Sequence, residues 1–233
     1  MSAELEKAAA AGEALSLVED GMTLGLGTGS TAAMFVRGLG AKLRQGLRLR
    51  GVATSEATAG LAREVGLEIV PPEEVARVHL AVDGADEVDE ALRLIKGGGG
   101  ALLREKIVAR AADRFVVIVD SAKRVRMLGR FPLPVEITPF GAGFTTRLVR
   151  EALEAAACAR QEVGLRQARG GGPFVTDEGN WILDCQCQAI PAPERLAEQL
   201  SGLPGVVEHG LFLGLAQALV VGRADGGAET IAR

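Results

Sequence analysis

One feature of the sequence limits its fold more than any other. Between residues 22 and 120, short continuous apolar runs alternate with segments of helical periodicity. Residues 22–27 (MTLGLG), 49–54, 67–70, 78–82 and 115–120 (FVVIVD) read as strands. Residues 30–44, 56–65 and 103–112 read as helices between them; in the first, Ala33, Met34, Val36 and Leu39 share one face. Strands that are apolar without alternation are covered on both sides, which means a mostly parallel sheet between helices. In open sheets of this kind, ligands bind beyond the carboxyl ends of the strands.

The pattern changes near residue 131. FPLPVEITPF carries three prolines and reads as a crossing between structural units. Beyond it, 144–157 predicts an amphipathic helix, and 161–167 and 173–188 predict antiparallel strands with a turn at Asp177–Asn180. A short helix follows at 193–202, and the tail from residue 205 is again apolar and strand-like, as if it rejoins the first sheet. The expected fold is therefore α/β. A Rossmann-like, mostly parallel sheet covered by helices (1–130 plus 206–233) would hold the catalytic groups. A small inserted α+β domain of ferredoxin-like type (131–205) would make oligomer contacts.

Composition excludes several classes. Hydrophobic residues make up 48% and charged residues 24% of the 233, so the chain can build a core. A net charge of −4 argues against gripping nucleic acid or an anionic membrane surface. No apolar run approaches the ~20 residues of a membrane span. The acidic N-terminal segment lacks a basic signal region. Cys158, Cys185 and Cys187 are odd in number and contain no Cys-x-x-Cys, which fits a reducing cytoplasm. Cys185 and Cys187, two apart on one strand face, read as small buried apolar residues. His79 reads as a packed core histidine, and His209 as part of an ordinary turn.

Three glycine-bearing segments point to chemistry. In Gly25-Leu26-Gly27-Thr28-Gly29-Ser30-Thr31 a strand turns into a helix. Glycines let an anion approach the backbone N–H groups, and the helix terminus and hydroxyls add donors. Either a phosphate loop or a tight, Ser/Thr-capped turn fits the segment. It lacks the third glycine of a dinucleotide fingerprint and the lysine of a Walker loop. The second segment, Asp83-Gly84-Ala85-Asp86, follows an apolar strand. Crowded carboxylates suit acid–base work, although a solvated acidic turn has the same composition. The third is Lys96-Gly97-Gly98-Gly99-Gly100, with Glu105 about one helical turn beyond. Four glycines in a patterned region cost backbone entropy, which a loop pressed against a ligand would offset. Arg outnumbers Lys by 21 to five, so each lysine kept as lysine is of interest: Lys96 in the loop, Lys123 after a strand and Lys7 on the first helix, with Lys42 and Lys106 as helix-surface residues.

Together these segments resemble the A-type ribose-5-phosphate isomerase family: TLGLGTGSTA (23–32), VDGADEVD (82–89), IKGGGGALLREKIVA (95–109), FPLPVEI (131–137) and GVVEHGLF (205–212), in order along nearly the whole chain. The resemblance implies interconversion of D-ribose 5-phosphate and D-ribulose 5-phosphate in the pentose phosphate pathway, with no cofactor and no metal, by a homodimer or homotetramer. It places phosphate contacts on Thr28, Gly29, Ser30 and Thr31. Sugar contacts fall on Asp83, Gly84, Ala85 and Asp86, and on Lys96, Gly97, Gly98 and Gly99. The catalytic base falls on Glu105, a second substrate lysine on Lys123, and a further contact on Lys7.

The chemistry suits this inventory. One carboxylate, Glu105, can carry a proton between adjacent carbons. Lys96 and the glycine-loop N–H groups can hold the enediolate oxygen. Asp83, assisted by Asp86, can open the sugar ring. Two other readings share a glycine-rich phosphate turn. One is a deaminase or lactonase acting on sugar phosphates, for which a histidine-containing centre is expected. The other is a sugar-phosphate-sensing domain, which would need an added DNA-binding segment.

Overall fold

The computed structural model describes residues 2–232. The chain opens with α1 (Ser2–Leu15), β1 (Thr23–Leu26), α2 (Ser30–Arg44), β2 (Arg50–Ala53), α3 (Glu56–Glu64), β3 (Glu68–Ile69) and β4 (Leu80–Asp83). It continues through β5 (Glu87–Val88), β6 (Leu94–Ile95), α4 (Leu102–Ala111), β7 (Phe115–Asp120), β8 (Leu133–Ile137), α5 (Ala142–Ala155) and β9 (Glu162–Leu165). It closes with β10 (Trp181–Gln186), α6 (Pro193–Ser201), β11 (Val206–His209), β12 (Leu211–Phe212), β13 (Ala218–Gly222) and β14 (Ala228–Ala232). Among the described residues no helix is long and apolar enough to cross a membrane. Two compact units result. The first holds the chain up to Ala85, Arg104–Arg124 and the residues from Gly214; the second holds Asp86–Leu103 and Val125–Leu213.

The first unit is built on a seven-stranded sheet of order β14-β13-β7-β4-β1-β2-β3. Every neighbouring pair is parallel except β13–β14. The mostly parallel α/β architecture expected from the alternation is the one observed. Strand residues alternate between the two faces. Leu24, Leu26, Val82, Val116, Ile118 and Val220 pack with Phe35, Val36 and Leu39 of α2 and with the alanines of α1. On the opposite face α4 closes on β1, where a Cβ at Gly25 would meet Val108 Cγ1 at 2.5 Å. Ala112, just past α4, bridges Val78, just before β4. α4 therefore runs back along β4, and its first turn lies toward the carboxyl ends of the strands.

The second unit contains a four-stranded antiparallel sheet of order β11-β8-β10-β9. The chain order β8-α5-β9-β10-α6-β11 is the ferredoxin-like arrangement. Its core joins Val135, Leu183 and Cys185 of the sheet to Val149, Leu153, Leu196 and Leu200 of the helices. Cys185 and Cys187 are buried, as expected, and Cys158 is buried with them; all three are free. A small sheet, β12-β6-β5, lies in the same unit.

Several details differ from the sequence reading. Within FPLPVEI, Leu133–Ile137 form β8, an inner strand, rather than a crossing. A proline lacks only its N–H, and the Pro134 carbonyl still accepts from Gly210 N at 2.8 Å. The expected turn at Asp177–Asn180 forms, with Thr176 N donating to Asn180 O at 2.9 Å, and Trp181–Gln186 beyond it forms β10; before the turn, Pro173 and Val175 make only isolated bridges to Gln167 and Trp181 instead of a strand. The expected boundaries at 131 and 205 also differ from the two units. Residues 86–103 and 206–213 side with the second unit because β6 pairs with both β5 and β12, and Lys96 N donates to Gly210 O at 2.9 Å. Only β13 and β14 of the tail join the first sheet. His79 is half-buried rather than a core residue; its Nδ1 accepts from Thr23 N at 3.0 Å. His209 is buried at the end of β11, and its Nε2 lies 3.2 Å from Ser201 Oγ.

Candidate active site

In the first unit, β2, β1, β4 and β7 are parallel and deliver their carboxyl ends to one edge. The turn after β1 leads straight into α2, whose cap residue Gly29 has φ +109° and provides no side-chain cap. The first turn of α2 therefore offers its N–H groups without an internal competitor. Gly29 and Ser30 are exposed, while Thr31 is buried. The Thr28 hydroxyl turns inward. It lies 2.8 Å from Thr54 Oγ1, 2.9 Å from Ser55 Oγ and 3.4 Å from Thr58 Oγ1. Thr54 and Thr58 in turn donate to the carbonyls of Leu26 and Gly27, each at 3.0 Å. This cluster moors the turn to the end of β2 and the start of α3.

Asp83 ends β4 and is buried. Its Oδ1 accepts from Thr28 N at 3.1 Å and from Gly84 N at 2.7 Å. The carboxylate thus clasps the β1 turn to the β4 turn. Gly27 makes this possible: a Cβ there would lie 2.1 Å from Asp83 Oδ1. Glu105 is also buried, in the first turn of α4, one turn before Val108. Lys123 follows β7 in a single 3-10 turn capped by Asp120, whose Oδ1 accepts from Ala122 N at 3.1 Å. Glu6 of α1 reaches the same turn and accepts from Ser121 N at 2.8 Å and Ser121 Oγ at 2.7 Å. These two bonds, that from the hydroxyl first, hold the Glu6 carboxyl below its ordinary pKa. Lys7, next to Glu6, pairs with Glu4 at 2.8 Å.

In the second unit, Asp86 and the glycine loop meet. Asp86 Oδ2 accepts from Gly98 N at 2.8 Å, and a Cβ on Gly98 would lie 2.6 Å from Oδ1. Lys96 is buried at the end of β6, with its Nζ 5.5 Å from the centroid of the Phe212 ring. Gly97 and Gly100 are buried, whereas Gly98 and Gly99 are exposed. Beside them Glu87 is buried and accepts from Gly129 N at 2.7 Å and Phe131 N at 2.6 Å. Its desolvation outweighs those bonds and pushes its pKa up.

Every residue singled out in the sequence is thus placed. Thr28, Gly29, Ser30, Thr31, Asp83, Gly84, Ala85, Glu105, Lys123 and Lys7 belong to the first unit, with Thr28 and Asp83 in direct contact. Asp86, Lys96, Gly97, Gly98 and Gly99 belong to the second, with Asp86 on the loop. The hydroxyl cluster of Thr54, Ser55 and Thr58 escaped the sequence reading. Its signal was present: Ser55 precedes α3 and accepts from Thr58 N at 3.2 Å, an N-cap pattern at the end of a parallel strand.

Comparison with known proteins gives the family of the chain. The family model for ribose 5-phosphate isomerase A (phosphoriboisomerase A) matches residues 50–226. A ribose-5-phosphate isomerase A of Rhodopseudomonas palustris is 54% identical over 97% of each chain. A solved D-ribose-5-phosphate isomerase in complex with phospho-erythronic acid superposes with a TM-score of 0.92, 39% identity and full coverage of both chains. The isomerase of Methanocaldococcus jannaschii gives 0.88 and 40%, covering 97% of this chain and 98% of its own. The chain belongs to the ribose 5-phosphate isomerase A family and is an isomerase of ribose 5-phosphate.

Proposed function

We propose that the chain interconverts D-ribose 5-phosphate and D-ribulose 5-phosphate through an enediolate, with Glu105 moving the proton between the two carbons. The single observation that carries this reading is the edge of the first unit's sheet. There the open first turn of α2, the buried Asp83 and the α4 turn with buried Glu105 all come from one end of parallel strands. The phosphate rests on the N–H groups and hydroxyls of residues 28–31, assisted by Lys123 and Lys7. Binding at this remote end fixes the reacting carbons. Glu105 takes the proton from the carbon next to the carbonyl and returns it to the neighbouring carbon. Lys96 and the Gly97–Gly99 loop hold the charge that develops on oxygen. Asp83, with Asp86, promotes ring opening. The clasp role found for each carboxylate leaves both tied to backbone N–H groups, which fixes their orientation. No cofactor is required by this proton bookkeeping, and the residues on which it rests include neither histidine.

The experiment is incubation with ribose 5-phosphate in deuterated water. The reading predicts isomerisation with solvent deuterium entering the sugar at the exchanged carbon. Isomerisation that Glu105→Gln leaves unchanged refutes the carboxylate shuttle, and binding without turnover points to the sensor. We further read the protein as a cytoplasmic homodimer or homotetramer joined through the second unit. Phe140 and Phe144 there, 94% and 68% exposed, support that reading. Light scattering that gives a monomer mass removes it.

A further inference from the structure

We propose that Arg166 is a positioning residue for the isomerisation: it sets the peptide planes of the Gly97–Gly99 loop so that the Gly99 N–H faces the sugar. The proposal rests on the reading of that loop given above, and it adds a residue that reading does not use.

Arg166, Asp184, Phe174 and the glycine loop all belong to the second unit. Arg166 follows β9, and its guanidinium is fixed from three sides. Its Nε donates to Asp184 Oδ2 at 2.9 Å and its Nη2 to Asp184 Oδ1 at 2.5 Å. Its Cζ sits 5.8 Å from the Phe174 ring centroid, and the side chain is only 14% exposed. The remaining terminal nitrogen, Nη1, donates to two successive carbonyls, Gly97 O at 2.9 Å and Gly98 O at 3.2 Å.

Peptide geometry then dictates the rest. In a planar trans peptide the C=O and the next N–H point to opposite sides. The Gly97–Gly98 peptide is held at both ends: its carbonyl accepts from Arg166 and its N–H donates to Asp86. The Gly98–Gly99 peptide has its carbonyl on the same guanidinium, so the Gly99 N–H is directed away from Arg166, on an exposed residue. Gly100 N closes the turn on Gly97 O at 3.0 Å. Phe174, which stacks with Arg166, also abuts the loop: a Cβ on Gly100 would lie 2.5 Å from its ring. Consecutive glycines have a wide choice of peptide orientations, and ordering them costs more than for other residues. A planar fork already locked by a carboxylate selects one orientation before substrate arrives, which an ammonium on a flexible stem cannot do as well.

The test compares wild type with Arg166→Ala, Arg166→Lys and Asp184→Asn. Ribose 5-phosphate is the substrate, and inorganic phosphate is added as a competitor, expected to report on the 28–31 turn. In Arg166→Ala, kcat falls about 10–100-fold, the cost of a misplaced donor. KM and the phosphate inhibition constant stay within about twofold. Arg166→Lys lies between the two, and millimolar guanidinium chloride restores part of kcat in Arg166→Ala while leaving wild type unchanged. A kcat near that of wild type in Arg166→Ala overturns the proposal. So does a loss that extends equally to phosphate inhibition and is not relieved by guanidinium, because that is the mark of general damage. If Arg166→Ala does not fold, Arg166→Lys and Asp184→Asn are judged by the same split between kcat and phosphate inhibition. An inactive wild type overturns the isomerase reading and this proposal with it; an active wild type with unchanged variants overturns this proposal alone.

Discussion

Replacing Gly27 by alanine tests whether Asp83 clasps the phosphate turn. The new Cβ would lie 2.1 Å from Asp83 Oδ1, 2.2 Å from Cγ and 2.5 Å from Cβ. Ordinary contact begins near 3.4 Å, so the carboxylate and the β1 turn must separate by about 1.3 Å. Asp83 is buried and has little room to retreat. A shift of that size carries its Oδ1 beyond reach of Thr28 N, now at 3.1 Å, and strains the bond from Gly84 N, now at 2.7 Å. Hydrogen bonds to a charged group are worth about 1.5–3 kcal/mol each, so losing both costs about 3–6 kcal/mol. That is a large share of the ~5–15 kcal/mol that holds a domain folded. At about 2–4 °C per kcal/mol for a chain of this size, Tm falls by about 6–24 °C. Thermal unfolding followed by circular dichroism measures the shift. Kinetics with ribose 5-phosphate at a temperature where the variant is folded should show a raised KM, because Thr28 leads the phosphate turn. A Tm within about 2 °C of wild type together with an unchanged KM would refute the clasp.

Three further outcomes follow from the same structure. Gly12→Ala, on the exposed side of the last turn of α1 with nothing within 4 Å of the new Cβ, should raise stability by about 0.5–1 kcal/mol; a loss in urea unfolding contradicts the helix assignment there. Ser30→Ala should raise KM for ribose 5-phosphate with kcat little changed, and a flat KM removes the phosphate assignment of the α2 turn. Glu136→Gln tests a buried charge in β8. The Glu136 Oε1 accepts from Thr176 Oγ1 and Asn180 Nδ2, both at 2.9 Å, yet burial pushes its pKa above the ordinary 4.5. A raised carboxyl pKa favours the protonated folded state, so its contribution is full below that ordinary value and is lost as pH rises through the raised one. The glutamine variant should therefore gain stability relative to wild type between about pH 4.5 and neutrality. Urea midpoints that differ equally at both ends of that range contradict the assignment.

The first unit was legible because its signals are local. An unbroken FVVIVD buries both faces, and helix 30–44 opens on a glycine turn; of the face read for it Val36 and Leu39 are buried, whereas Ala33 and Met34 are half-buried and Phe35 enters the core. The carboxyl-edge rule then located the turns at 27–31 and 83–86. The proline-rich 131–137 misled because prolines mark breaks in most contexts, whereas β8 keeps Pro134 by using only its carbonyl. The tail was divided between units by pairings with β6 and β8, and long-range partners leave no trace in periodicity. For the same reason Arg166 was invisible: nothing around residue 166 announces that its guanidinium meets carbonyls near residue 97. The hydroxyls at 54, 55 and 58 were missed, although Ser55 carries the pattern of a helix cap. Their bond to Thr28 required the parallel pairing of β1 with β2.

In the reaction proposed above, Glu105 carries the proton. Glu105→Gln keeps the size of the side chain and removes its basicity. Steady-state isomerisation of ribose 5-phosphate, with equilibrium binding of the same sugar measured alongside, decides it. The expected kcat is lower by at least ~10²–10⁴-fold, with binding largely kept. Near-normal turnover in that variant would contradict it.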